Sequence, residues 1–327
     1  MVKKNCLVFY DLWEDINHAE KENLIRLKMG CDLNGYEFIT INNVGMILNK
    51  PNLKNVHIEK LYDEKKYDIM IIISIHNASQ KNTKLLTILA LWIPLDFIKE
   101  KQLLLSYDFY ISCHSKIDDF IENHNKKIIG YLNHTVPKSL CMSYTFGNYK
   151  CFYIGSRWEI NTPYENSRKN ITELLSYLDN NDIIDIYGQS WSDYKSYKGH
   201  IPFDGISVIK KIQDAGICLV LSSESHLKDE ICTNRLFEGI AAGVPLICNE
   251  NEFIKKFFGD DVFYIHNETS VENQYNKIIQ HIDYIKNNNK IVLSMINNCR
   301  NIFLENFELC NQLEQLMESI RELHDFY

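Results

Sequence analysis

"ESHLKDEICTNRLFEGIAAGVPLI", residues 224 to 247, runs from a polar loop through a Gly- and Ala-rich helix into an apolar strand. A helix that starts near Thr233 or Asn234, both good caps, puts Leu236, Phe237, Ile240 and Ala241 on one face. Arg235, Glu238, Gly239 and Ala242 fall on the other side, which mixes a charged pair with residues that have almost no side chain. Glycine costs about 1 kcal/mol relative to alanine inside a helix, so Gly239 predicts that something approaches the backbone there. Free N–H groups at a helix start attract an anion, and a guanidinium one turn in adds contacts to phosphate oxygens. A carboxylate in the same pocket accepts hydrogen bonds from the hydroxyls of a ribose. Taken alone, the helix is read more simply as carrying a surface i,i+3 ion pair worth roughly 0.2–0.5 kcal/mol.

The chain around this segment has 327 residues, enough for two domains of roughly 150 residues each. A composition 45% hydrophobic and 24% charged is that of an ordinary globular protein. The net charge of -8 excludes the broad basic footprint of a nucleic-acid binder, while leaving room for a local anion pocket. None of the ten cysteines forms a Cys-x-x-Cys pair, and Cys6, Cys218 and Cys248 sit in apolar runs, which points to a reducing cytosol. The first apolar run, "CLVFY", is too short for a signal-peptide core, so a cytoplasmic location is expected. The run "LLTILALWIPLDFI" (85–98) is broken by Pro94 and Asp96 and is shorter than the ~20 residues of a membrane span. It predicts a core or domain-surface helix, one suited to peripheral membrane contact if the acceptor is a lipid.

Short apolar strands alternate with helices along the whole chain, at "NCLVFY", "GYEFITIN", "YDIMIIISI", "DFYISC" and "KIIGYLN", and then at "CFYIGS", "IIDIYG", "ICLVLSS", "VPLICN" and "DVFYIH". Continuous apolar strands between helices mean parallel sheets covered on both faces. The expected fold class is therefore α/β, in two doubly wound halves. The boundary lies in 137–150, giving 1–145, 146–310 and a last helix, 311–327, that crosses back to the first domain. No Gly-x-Gly pair, no Gly-Lys-Ser/Thr and no Asp-x-Asp occurs, so neither a dehydrogenase fingerprint, a P-loop nor the aspartate metal clamp of metal-dependent sugar transferases is present.

The spacing of Glu230 and Glu238 and the segment "EICTNRLFEGIAAGVPLI" resemble the Glu-x7-Glu region of the retaining group 1 (family 4) glycosyltransferases. "RLFE" followed by Ala-x-Gly resembles their CgeB-like members still more closely. "LVLSSESHLKDEICTNRLFE" is similar to the donor segment of family 10 fucosyltransferases, with Glu224, Thr233 and Arg235 at that segment's glutamate, threonine and lysine positions. Family 10 carries Glu where Asn234 stands, and family 4 opens with Glu-Gly-Phe where this chain has Glu230-Ile231. "FYIGSRWEINTPYENSRKNITELLSYLDNNDIIDIYGQSW" resembles the start of a GT-B C-terminal domain. These resemblances imply the GT-B fold, two Rossmann-like domains facing a central cleft.

They also imply a nucleoside-diphosphate sugar, UDP- or GDP-linked, as donor and the hydroxyl of a glycan or lipid-linked glycan as acceptor, in surface polysaccharide or lipopolysaccharide synthesis, with no metal and no further cofactor. The donor site they imply comprises Gly155, Ser156, Arg168, Lys169, Gly188, Gln189, Glu224, Glu230, Thr233, Asn234, Arg235 and Glu238. Arg168, Arg235 and the helix start would stabilise charge on the departing diphosphate. An inverting course needs a base, for which Asp15, His18 and His76 are candidates at strand ends of the first half, ahead of His114 and His134. A retaining course leaves that work to the phosphate. Trp191 is a candidate to stack on the base, or is plain packing. A sugar-nucleotide epimerase of the same fold, or a non-catalytic CgeB-like glycan-associated protein, are the alternatives.

Overall fold

The computed structural model describes residues 5–12, 19–75, 83–98, 101–145, 148–157, 165–267 and 269–324. The chain divides into two compact units, Met1–Pro137 with Phe307–Tyr327, and Lys138–Asn306. These divisions fall a few residues before the 145 and 310 expected from the sequence. Residues 138–145 belong to the second unit because the Met142 amide bonds the Ala241 carbonyl at 2.7 Å and Arg300 Nη2 bonds the Met142 carbonyl at 2.6 Å.

In the first unit the strands are β1 (Cys6–Tyr10), β2 (Glu37–Ile41), β3 (Met70–Ile75), β4 (Thr87–Ala90), β5 (Phe109–Ser112) and β6 (Ile128–Tyr131), in the order β2-β1-β3-β4-β5-β6. Every pair is parallel. Alternate residues of β1 go to opposite faces. Leu7 and Phe9 join a core with α1 (Glu20–Leu33) and α12 (Leu309–His324), while Cys6, Val8 and Tyr10 join one with Ile58 and Leu61 of α2 (Ile58–Asp63). Both faces are covered, which is why these strands read as unbroken apolar runs. The remaining helices of this unit are α3 (Lys101–Leu104) and α4 (Ile117–Asn123).

The run 85–98 is a strand, not the expected helix. Thr87–Ala90 lies between β3 and β5 with every residue at most 1% exposed, and Pro94 precedes a single 3-10 turn at Leu95–Phe97. A run buried on all sides has no periodicity to tell strand from helix, and Pro94 leaves too few residues for several helical turns. Trp92, 4% exposed, donates Nε1–H to the Leu132 carbonyl at 2.7 Å and so is a core residue rather than an interfacial anchor.

The helix α12 is held in this unit by a buried amide exchange. Gln312 Oε1 accepts from the Asn133 amide at 2.9 Å, and Gln312 Nε2 donates to Asn133 Oδ1 at 3.1 Å.

The second unit has β7 (Lys150–Ser156), β8 (Ile184–Gln189), β9 (Gly216–Val220), β10 (Leu246–Asn249) and β11 (Phe263–Ile265), in the order β11-β10-β9-β7-β8. All pairs are again parallel. One face packs Leu174, Leu175 and Leu178 of α5 (Glu165–Asn180) and Ile278, Ile282 and Ile285 of α10 (Val271–Asn287). The helices α6 (Ser207–Ala215), α7 (Glu224–Lys228), α8 (Asn234–Ala242), α9 (Glu252–Phe258) and α11 (Asn289–Asn306) complete it. Each unit is thus a parallel α/β sheet of the expected class. Among the described residues, no helix is long and apolar enough to cross a membrane.

Candidate functional site

The C-terminal edge of the second sheet gathers most of the residues singled out from the sequence, as expected for parallel sheets, where loops and helix starts converge at that edge. Gly155 pairs with Gly188 and Ser156 with Gln189 across the last rungs of β7 and β8. Gly188 has φ +112°, and a Cβ there would collide with the Gly155 carbonyl oxygen, so only glycine fits this rung. The Gly155 carbonyl accepts Trp191 Nε1–H at 2.9 Å, and Trp191 is 2% exposed. Trp191 is therefore a packing residue beneath the strand end, and base stacking does not apply to it.

Arg157, which is not among the residues singled out from the sequence, follows β7 directly. Its Nη1 donates to both carboxylate oxygens of Asp193 at 2.7 Å, and its guanidinium lies 5.3 and 5.2 Å from the ring centres of Trp191 and Tyr194. Its Nε is buried without a partner. The Arg157 guanidinium holds the Asp193 carboxyl below its usual range. The signal for Arg157 was its place one residue past a strand that ends Gly-Ser.

Between β9 and β10 the decisive segment builds two helices. Glu224 opens α7, and Glu230 follows it with φ +58°, an uncommon conformation for a residue with a side chain. The loop is pinned at and just after that residue: the Glu230 amide bonds the Leu227 carbonyl at 3.2 Å, the Ile231 amide bonds the His226 carbonyl at 2.9 Å, and Asn251 Nδ2 bonds the Ile231 carbonyl at 3.1 Å. Thr233 is the N-cap of α8, as the sequence predicts, but its side chain makes no capping bond, and its Oγ1 is buried without a partner.

Arg235 and Glu238 do form the i,i+3 ion pair, although not at the surface. Glu238 is wholly buried, while the Arg235 side chain is 19% exposed. Gly239 is explained by packing rather than by a ligand. A Cβ there would press on the Leu246 side chain and lie 2.9 Å from Cys218 Cβ, both on the sheet beneath α8. Burial raises the Cys218 thiol to about 12, an effect that nearby Arg235 opposes, so the thiol stays protonated.

A cavity of about 310 Å³ lies over the ends of β9, β10 and β11, with Ser222, Glu224, Leu227, Asn249 and Gln274 in its wall. Asn170, also in that wall, belongs to the second turn of α5. Arg168 and Lys169 precede it in the same helix, where the structure describes the backbone. The structure thus brings Gly155, Ser156, Gly188, Gln189, Glu224, Glu230, Thr233, Asn234, Arg235 and Glu238 into one unit, at strand ends and on the segment that follows β9.

The base candidates Asp15, His18 and His76 lie outside the described residues. His114 stacks on Tyr131 at 4.2 Å, and His134 is 4% exposed against Trp92, so both are packing groups of the first unit. Among the described residues no three His, Cys, Asp or Glu side chains are grouped to hold a metal ion.

The model of a family described as glycosyl transferase-like matches residues 168–318. No curated protein matches the chain. Among solved structures, sucrose-phosphate synthase from Thermosynechococcus elongatus aligns over 99% of this chain and 100% of that chain, with a TM-score of 0.64 at 10% identity. Anabaena HepE in complex with UDP-glucose aligns over 97% and 99%, with a TM-score of 0.61 at 10% identity. T4 phage BGT in complex with its UDP-glucose substrate aligns over 96% and 98%, with a TM-score of 0.57 at 13% identity.

Proposed function

From a chain with the GT-B fold and a glycosyl transferase-like segment, we propose a glycosyltransferase that moves a sugar from a UDP- or GDP-linked donor to a hydroxyl of a glycan or glycolipid. The observation that carries the reading is the start of α8. A helix N-terminus at the C-terminal edge of a parallel sheet has an N-cap whose hydroxyl is unused, with a partly exposed arginine in its first turn. Such an end attracts a diphosphate through backbone N–H groups and the helix dipole, and a guanidinium beside it gives charge-assisted bonds to the oxygens.

In this reading Arg235 and the amides of α8 hold the leaving diphosphate and stabilise the charge that grows on it, with Arg168 and Lys169 adding to them from α5 and no metal required. Glu238 fixes the direction of Arg235 from below and reaches a ribose only when that pair opens. Glu230, Gly155, Ser156, Gly188, Gln189 and Asn234 complete the donor site. If a base takes the acceptor proton, Asp15, His18 and His76 are its candidates. The proposed setting is the cytoplasmic face of a membrane at which surface polysaccharide or lipopolysaccharide is assembled.

Thermal-shift titration with UDP, GDP and their sugars tests this. The wild-type protein should be stabilised by one nucleotide family. The paired change Arg235→Gln with Glu238→Gln, which leaves no buried charge, should keep the unliganded melting temperature near wild type and lose most of the ligand shift. A full ligand shift in that variant would remove Arg235 from the phosphate site. Donor turnover without any acceptor would make the protein an epimerase instead.

A further inference from the structure

The cavity over β9, β10 and β11 has a chemistry of its own. Ser222 is 2% exposed, and both its backbone groups are fixed by Asn249, whose Oδ1 accepts the Ser222 amide and whose Nδ2 donates to the Ser222 carbonyl, each at 2.9 Å. Its hydroxyl is buried with no partner in the protein. Leaving a buried polar group unpaired is costly, so an unpaired hydroxyl in a cavity wall marks a place where a ligand supplies the missing bond. The Glu224 side chain makes no hydrogen bond or ion pair to a described residue, and it faces the cavity. Gln274 spends Nε2 on the carbonyls of His266 and Thr269 at 3.1 and 3.2 Å, which fixes its amide and leaves Oε1 as an acceptor.

The groups open to a ligand are therefore the Ser222 hydroxyl, the Glu224 carboxylate, the amide oxygens of Gln274 and Asn267, whose Nδ2 is spent on the Glu250 carbonyl, and the Asn170 amide. None of the described side chains in the wall is cationic, and Ile171, Leu174, Leu221, Leu227 and Ile265 supply an apolar floor. A wall made mostly of acceptors over an apolar floor, with the Glu224 carboxylate as the one charge among its described side chains, suits a ring with hydroxyl donors on its rim and C–H groups on its face. A carboxylate on the ligand would meet Glu224 with like charge. We propose that this cavity receives the transferred sugar and selects an uncharged, hydroxyl-rich ring against a uronate or other acidic sugar. This rests on the donor-site reading above and adds the sugar class to it.

Calorimetric titration of the full chain with UDP, UDP-glucose and UDP-glucuronate tests it, with GDP, GDP-mannose and GDP-mannuronate in their place if GDP is the stabilising nucleotide. The uncharged sugar nucleotide should bind about tenfold tighter than the uronate. Glu224→Gln should close most of that gap by strengthening the uronate. Ser222→Ala should weaken the uncharged sugar nucleotide about fivefold, one ordinary hydrogen bond, and leave the nucleotide alone unchanged. The proposal falls if the uronate binds as tightly as the uncharged sugar, or if Ser222→Ala weakens the bare nucleotide as much as the sugar nucleotide, which would make the cavity a nucleoside site. If the wild-type protein binds no nucleotide at all, it is the donor-site reading that fails first, and the sugar assignment goes with it.

Discussion

Helices α1 and α8 carry the same ingredients in different surroundings. Each has a helical-spaced ion pair and an interior glycine. In α1, Arg26 Nη2 meets Glu22 Oε1 at 2.9 Å, with the two side chains 1% and 6% exposed, and Gly30 packs on Leu309 and Leu313 of α12. In α8, Glu238 is sealed, Arg235 is 19% exposed, and Gly239 packs on β9 and β10. Both glycines therefore serve close packing. What differs is the cation. A guanidinium at 1% exposure can only serve the fold, whereas one partly open to solvent and anchored from below by a buried carboxylate can also meet a ligand. Spacing is silent about this; the exposure of the cation decides it.

The largest effects should come from removing one member of each buried pair. Glu22→Gln removes the carboxylate from a buried arginine, and Arg235→Ala removes the cation from a wholly buried carboxylate. Each should cost about 3–5 kcal/mol in urea unfolding at pH 8. Removing the carboxylate from each pair should separate them. Glu238→Gln leaves an arginine that is 19% exposed and can be solvated, so it should cost clearly less than Glu22→Gln, whose arginine is 1% exposed. Equal losses in these two variants would mean that the exposure of the cation makes no difference, and the contrast between the helices would be lost.

How much of this was legible in the sequence follows the same physics. The parallel alternation, the start of α8 at Thr233 and the set of strand-end residues could be read because caps and apolar runs are local signals. The strand Thr87–Ala90 is not legible as a strand because a run buried on all sides lacks a period. Gly239 predicts a close approach to its backbone, but sequence cannot show that Cys218 and Leu246 are what approaches it. Arg157 and Ser222 escaped for a related reason. Their meaning depends on Asp193, Trp191 and Asn249, which are brought to them by folding rather than by spacing.

The two glycines should differ by an intermediate amount. Alanine at either position should gain about 1 kcal/mol in helix propensity. At Gly30 the new methyl meets side-chain ends, Leu313 Cδ1 at 2.8 Å and Leu309 Cγ at 3.1 Å, which can yield, so Gly30→Ala should be near neutral in melting temperature. At Gly239 it meets Cys218 Cβ at 2.9 Å, an atom fixed to the backbone of β9, as well as Leu246. Overpacking against a strand that cannot move should outweigh propensity and leave a net loss of about 1–3 kcal/mol. The reverse ranking would mean that α12 is the more rigid wall.

The smallest effect should be at Arg157, where the pairing carboxylate, not the cation, is the open member. Asp193 is 61% exposed and Arg157 21%. Water screens such a pair, so Asp193→Asn should change stability by less than about 1 kcal/mol at neutral pH. The sign of its pH dependence is nevertheless fixed. Because Arg157 holds the Asp193 carboxyl below its unfolded value, the contribution is present above the ordinary carboxylate range and is lost as pH falls through the lowered value. The variant should therefore lose slightly less stability than wild type on acidification below pH 4, measured by urea midpoint. A loss comparable to that of Arg235→Ala would show that Asp193 orders the Trp191 loop beneath the strand end. Arg157 would then belong with Arg26, as a cation of the fold.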